Sequence, residues 1–199
     1  MNVHRPSRPI DIAAPLPAHI ETSRLSLRRL VAGDLEELVA VCAERDVWEY
    51  PYGRGMTRAE AEAFLGIQLD LWMQHGFGGC AARSHTDGRL LGVVGLSTPS
   101  FPSELVANVT VGWRFAPGAW GNGYATEGAA ALLTEAFTTM GVARVGCVTQ
   151  PENVRSVRVA ERLGMRMVGE VGVPPDDRAS GVTAVVYEMD ARDWSTTAV

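Results

Sequence analysis

The sequence predicts an α/β protein built on one mixed sheet, and three observations carry that prediction. Its first half reads as strands in an antiparallel meander, with two amphipathic helices inserted after the first of them. Its second half alternates strand, helix, strand, helix, strand, strand, an order that adds parallel pairing to the same sheet. The length of 199 residues is that of one domain with a core of ordinary size.

Each element follows from local chemistry. Arg24 to Leu30 alternates apolar and polar residues, the period of a strand. Gly33-Asp34 interrupts it, and Asp34 is expected to cap a helix through Leu35, Leu38, Val39 and Cys42. Thr57-Arg-Ala-Glu60 is a capping box that opens a second helix, with Phe64, Ile67, Leu71 and Trp72 as its apolar face. Two strands, Gly78 to Arg83 and Arg89 to Leu96, flank an Asp87-Gly88 hairpin turn. Val106 to Phe115 is a further strand, and Ala129 to Met140 an apolar helix. Val142 to Thr149 returns as a strand, and Asn153 to Leu163 is a helix closed by Gly164. Met165 to Val171 and Val182 to Met189 are the last strands, joined by a loop containing Pro174-Pro175-Asp176-Asp177. Residues 1–19 are proline-rich and are expected as a loose arm, residues 20–192 as the domain, and residues 193–199 as a loose tail.

Composition narrows the function. A net charge of −5 argues against a general nucleic-acid binder. No apolar run reaches membrane-spanning length, and the N-terminus has no secretory pattern. Cys42, Cys80 and Cys147 are scattered, which suggests neither a disulfide framework nor a metal site, and the reducing cytoplasm is the expected compartment.

The chemistry concentrates at Trp120-Gly121-Asn122-Gly123-Tyr124-Ala125-Thr126-Glu127, between a strand and a helix. Two glycines one residue apart permit a sharp turn and a close backbone approach. The following helix aims free N–H groups and its positive dipole end into that turn, which suits a phosphate or pyrophosphate. A dinucleotide fingerprint requires a third glycine or alanine where Thr126 stands, and a P-loop requires Gly-Lys-Ser/Thr. A purely structural turn and a phosphate cradle both stay open on these residues alone.

Four segments together resemble the GNAT acetyltransferases, and within them the RimJ/RimL branch of ribosomal-protein N-terminal alanine acetyltransferases and their relatives. Val111-Gly-Trp113-Arg-Phe115-Ala-Pro117 is similar to that fold's fourth strand, which splays from the fifth to admit pantetheine. Trp120 to Glu127 is similar to the pyrophosphate turn. Asn153-x-x-Ser156 with Leu163-Gly164-Met165 is similar to the second coenzyme A motif, and Ile20 to Leu30 to the branch's first strand. The resemblance covers about residues 20 to 190.

It implies direct attack of a primary amine on acetyl-CoA, without a metal. It places cofactor contacts at Trp113, Phe115, Trp120, Gly121, Asn122, Gly123, Tyr124, Ala125, Thr126, Asn153, Ser156 and Arg158. Ser156 would donate to the leaving thiolate, although a local bond to the Glu152–Asn153 backbone would serve it equally. Arg155, Arg158 and Arg162 share a helix face at i, i+3 and i+7 and would suit the 3′-phosphate, with Arg158 the first choice. Glu127 is expected to complement its helix dipole.

The chain departs from the pattern at three places. Trp120 stands where most relatives carry Gln or Arg, Ala160 where many carry a tyrosine acid, and Thr110 where many carry a strand glutamate. The base must then come from water or from elsewhere, with Glu49 the first candidate and Asp46 and Glu104 behind it. Trp48, Tyr50 and Tyr52 would line an amine groove or pack beneath it. A peptide N-terminal amine is the acceptor that the branch implies. A polyamine, aminoglycoside or other antibiotic is the alternative, as is a non-catalytic acyl-CoA-binding module. A homodimer fits the branch. His75 and His85 read as surface residues and Cys80 as a small buried one.

Overall fold

The computed structural model describes residues 10–101, 103–175 and 181–194. Eight strands form one mixed sheet: β1 (His19–Glu21), β2 (Leu25–Arg29), β3 (Gly79–Ser84), β4 (Leu90–Ser97), β5 (Thr110–Phe115), β6 (Arg144–Thr149), β7 (Arg166–Val173) and β8 (Val182–Asp190). Their spatial order is β1-β2-β3-β4-β5-β6-β8-β7. Five helices accompany them: α1 (Leu35–Ala43), the single turn α2 (Glu49–Tyr52), α3 (Arg58–His75), α4 (Tyr124–Thr138) and α5 (Val154–Arg162). All pairings are antiparallel except β5 with β6.

Strand alternation divides the core into two layers. Leu25, Leu27, Cys80, Ala82, Val94, Val111 and Trp113 face α4, where Ala129, Leu132, Leu133 and Ala136 are buried. Leu30, Ala81, Leu90 and Val93 face the opposite side, against Leu38, Cys42 and Leu65 of α1 and α3. The helix periods read from the sequence therefore meet the strand periods on both faces of the sheet.

Several expectations are corrected. Ile20 to Leu30 is a hairpin of two strands, because Glu127 of α4 seizes the turn between them. Its carboxylate accepts from Thr22 Oγ1 (2.7 Å), Ser23 Oγ (3.0 Å), Arg24 N (2.8 Å) and Arg24 Nε (2.7 Å). Glu127 is therefore a latch as well as a complement to the helix dipole. Asp34 does not cap α1. Its carboxylate accepts from Val31 N (2.9 Å), Arg28 and Arg83, and the side chain is only 1% exposed. Burial pushes this acid up, but those hydrogen bonds outweigh burial and hold it below the usual carboxylate range.

Ile67 is 53% exposed and leaves the buried face of α3 to Ala61, Leu65, Leu71 and Trp72. It follows Leu65 by two residues, about 200° around a helix axis. The Thr57/Glu60 capping box forms as expected. β5 begins at Thr110 instead of Val106, with Val106 and Val109 buried ahead of it outside the strand.

Residues 10–17, expected within a loose arm, are packed. Leu16 is 2% exposed, its N–H donates to Gly76 O (2.9 Å), and Ala13 N donates to Met140 O (2.8 Å). The apolar residues Ile10, Ile12 and Leu16 outweigh the prolines there. Trp194 is likewise held, its Nε1 donating to Thr134 Oγ1 (3.2 Å). The expectations for residues 1–9 and 195–199, and for Asp176 and Asp177, lie outside the described residues.

Candidate functional site

β5 and β6 diverge almost as soon as they meet. Their parallel ladder has a single register pair, Thr110 with Gly146, whereas β4 and β5 stay paired from Gly92/Phe115 to Ser97/Thr110. Val109 O accepts from Gly146 N at 2.9 Å, so the strand's alternation turns the amides of Val111, Trp113 and Phe115 toward the gap. Backbone N–H groups without a neighbouring strand are free to bind a ligand carbonyl.

At the end of β5 the chain makes the glycine turn. Gly121 (φ 76°) and Gly123 (φ 81°) are both left-handed, a conformation costly for any other residue. Gly123 is the residue before α4 and no side chain caps that helix. The first intrahelical bond is Glu127 N to Gly123 O (3.0 Å), so the amides of the first turn have no helical partner. A cavity of about 290 Å³ opens onto them and is lined by Gly121, Gly123, Tyr124, Ala125 and Thr126. Trp113, Phe115 and Trp120 form its wall on the strand side. Trp120 Nε1 donates to Phe115 O (2.7 Å), which locks the indole across the mouth of the gap. Asn122 does not line this cavity. Its Nδ2 donates to Ala119 O (3.2 Å) and Trp120 O (3.0 Å), so it shapes the turn from outside.

α5 closes the other side. Asn153 Oδ1 accepts from Ser156 N (3.2 Å), the N-cap that the sequence suggests. The Ser156 hydroxyl has no hydrogen bond within the described residues, which leaves it available to a ligand. Arg155, Arg158 and Arg162 all line the cavity, as their shared face requires. Arg155 lies over the Trp120 ring at 4.2 Å and pairs with Glu49 at 3.5 Å.

A second cavity of about 230 Å³ lies beyond the gap. Tyr50, Trp113, Arg114, Asn153 and Ser156 line both spaces, so the two adjoin at these residues. Tyr50 Oη donates to Glu152 O there (3.3 Å). Trp48 is instead core, stacked on Tyr52 and set edge-on to Phe64, each at 5.6 Å. Cys147 borders the second cavity, but burial pushes its thiol up to about 12, so it is no nucleophile at neutral pH.

The model of the acetyltransferase (GNAT) domain family matches residues 24–166 of this chain. The chain belongs to the GNAT acetyltransferase family. The uncharacterized N-acetyltransferase YoaA of Bacillus subtilis is 26% identical over 153 residues, covering 75% of this chain and 84% of YoaA. YkkB of the same organism is 32% identical over 100 residues, and the match spans about half of each protein (50% of this chain and 52% of YkkB). Among solved structures, a GNAT-family acetyltransferase from Bacillus anthracis superposes with a TM-score of 0.71 at 24% identity, over 87% of this chain and 99% of that one. The ribosomal-protein-S5-alanine acetyltransferase of Vibrio fischeri gives 0.69 at 14% identity, over 89% and 98%. At such identities the superpositions show the fold.

Within the GNAT frame, the departures acquire positions. Thr110 is tied to Ser97, Oγ to Oγ at 2.9 Å, in place of a strand carboxylate. Ala160 is fully buried and offers no proton. Glu49 lines the first cavity but not the second one, and it is held by Arg155. Asp46 shares that placement, whereas Glu104 lines neither cavity. Arg114 is the site residue that sequence reasoning passed over. The available signal was a charge in the middle of an apolar strand.

Proposed function

We propose that this GNAT protein transfers the acetyl group of acetyl-CoA directly to a primary amine, with no covalent enzyme intermediate. The observation that carries the proposal is that two cavities adjoin at the β5/β6 gap, with five residues lining both. Acetyl-CoA supplies the acyl group as a thioester. The first-turn amides of α4 would hold its pyrophosphate, and the Arg158 face of α5 would hold its 3′-phosphate. The amides turned into the gap would steady the thioester carbonyl as negative charge develops on its oxygen.

The amine nitrogen would attack from the second cavity as the carbon–sulfur bond breaks. The proton lost by the amine leaves through water, because no carboxylate lines that cavity among the described residues. Ser156 lines both cavities and would donate its hydroxyl hydrogen bond to the departing sulfur. Ser156→Ala is expected to lower kcat about tenfold, the worth of one hydrogen bond of ~1.4 kcal/mol in the transition state. It should leave acetyl-CoA binding within twofold; thiol release at saturating substrates gives kcat, and isothermal titration with acetyl-CoA gives the affinity.

The RimJ/RimL resemblance supports a peptide N-terminal amine as acceptor, with a small amine as the rival. Thiol release measured over a panel of N-terminal peptides, polyamines and aminoglycosides tests the activity. Turnover with any of them sustains it, and tight coenzyme A binding with no turnover on any amine would make the chain a binding module.

A further inference from the structure

The second cavity holds one charged side chain among its described lining residues, and it is Arg114. Its place follows from the pleat. Val111, Trp113 and Phe115 face α4, so Arg114 must project to the opposite face, toward Trp48. There its guanidinium carbon lies 4.6 Å from the Trp48 ring centroid, and Nη1 donates to Trp113 O (3.2 Å). Nε is closed off from solvent and has no hydrogen-bond partner. Among the described residues no carboxylate lies within ion-pairing distance of the group. Burial pushes the neighbouring Cys42 and Cys147 thiols up, so neither supplies it a negative charge at neutral pH.

Such an arrangement is expensive. An uncompensated guanidinium taken from water loses hydration that one stacked ring and one carbonyl replace only in part. Loss of hydration accordingly pushes Arg114 below the ordinary arginine range, though it stays charged. Other partly buried arginines find acids: Arg28 and Arg83 share Asp34, Arg24 binds Glu127, and Arg144 binds Asp190. Arg114 has no such acid among the described residues, its Nε is buried without a partner, and it lines both cavities.

We propose that Arg114 binds a carboxylate carried by the acceptor, so that the substrate class is a primary amine with a carboxylate close to it. The inference rests on the acetyltransferase reading and sharpens it. A guanidinium presents paired N–H donors that match a carboxylate, and the Trp48 face steadies its plane. Cationic acceptors such as polyamines meet a like charge at the reaction point and no acid among the described lining residues, so they are poor substrates. A free amino acid and a peptide whose first residue is acidic both present this chemistry.

Pairs that differ only in the carboxylate supply the test. L-phenylalanine against phenethylamine and L-alanine against ethylamine represent free amino acids. Peptides beginning Glu-Ala against Gln-Ala represent the peptide source. Thiol release gives kcat/KM, and quenching of tryptophan fluorescence in the coenzyme A-loaded protein gives binding whether or not turnover occurs. At least one carboxylate member is expected to exceed its partner about 100-fold, one or two charge-assisted hydrogen bonds. Arg114→Met is expected to reduce that ratio to near one with acetyl-CoA affinity unchanged. It should also raise Tm by roughly 2–4 °C, since an apolar isostere relieves the uncompensated charge.

Equal handling of both members of every pair by the native protein would overturn the inference while leaving acetyl transfer intact. So would a tenfold loss of acetyl-CoA affinity in Arg114→Met, which would put the guanidinium on the cofactor. A lower Tm in that variant would show a structural group and count against it as well. Failure to bind acetyl-CoA would instead overturn the acetyltransferase reading, and carboxylate binding would then be scored by the same fluorescence in the coenzyme-free protein.

Discussion

Gly123→Val is expected to weaken acetyl-CoA binding by about 100-fold or more, the loss of two charge-assisted hydrogen bonds to a phosphate. Gly123 sits at φ 81°, where a side chain with a Cβ pays about 1–2 kcal/mol and a β-branched one more. Relief of that strain rotates the residue and swings the first-turn amides of α4 away from the cavity. The damage is directed at the cradle because the Glu127 latch holds the same turn from outside, with Arg24 Nη1 donating to Asn122 O at 2.8 Å. Gly118→Ala is the control. Gly118 has no positive φ and an added Cβ would meet nothing within 4 Å, so binding should stay within twofold. Isothermal titration of both variants makes the comparison. Equal affinity in Gly123→Val and the native protein would mean that the turn does not touch the ligand.

Asp34→Ala is expected to cost about 3 kcal/mol of stability, the lower end for breaking a buried ion pair. The lower end applies because Arg28 and Arg83 keep 34% and 20% of their side-chain exposure and can rehydrate, whereas Asp34 keeps 1%. The loss corresponds to a Tm lower by roughly 6–12 °C for a chain of this size. Its pH dependence has a definite sign. The folded acid titrates below its unfolded value, so its contribution is complete above the unfolded pKa of about 4 and is lost as pH falls through the folded pKa. The difference in unfolding free energy between native protein and Asp34→Asn should be flat from pH 7 to about 5 and shrink toward zero below about 4. Urea denaturation across that range measures it, and a difference that grew on acidification would contradict the assignment.

Elements fixed by neighbours in sequence were readable without a structure. The Thr57/Glu60 box, the Asn153 cap and the left-handed Gly164 each depend on a few adjacent residues, and each formed as expected. Contacts between distant segments were not readable. Asp34 lies beside hydrophobic helix positions and so resembles an N-cap, but Arg83, 49 residues away, helps claim it. The turn from Thr22 to Arg24 depends on Glu127, 103 to 105 residues away. Leu16 looked like part of a proline-rich arm until its partners Gly76 and the α4-side core came beside it.

The same division runs through the site. The first cavity is made of local backbone conformation and one helix face, so the glycine turn and the arginine stripe that line it were legible from their spacing, and Asn153 from the resemblance. The acceptor half is made where β5, α2, β6 and β8 converge, and no short stretch of sequence records that convergence. Glu49 was chosen as base for its charge and its loop. The fold sets it on the first cavity with Arg155 upon it, and sets Arg114 on both cavities.

Isothermal titration of the native chain with acetyl-CoA tests the central claim most directly. The account predicts a single saturable site per chain with micromolar affinity, reduced about 100-fold in Gly123→Val and unchanged in Ser156→Ala. Absence of binding at millimolar acetyl-CoA would contradict it.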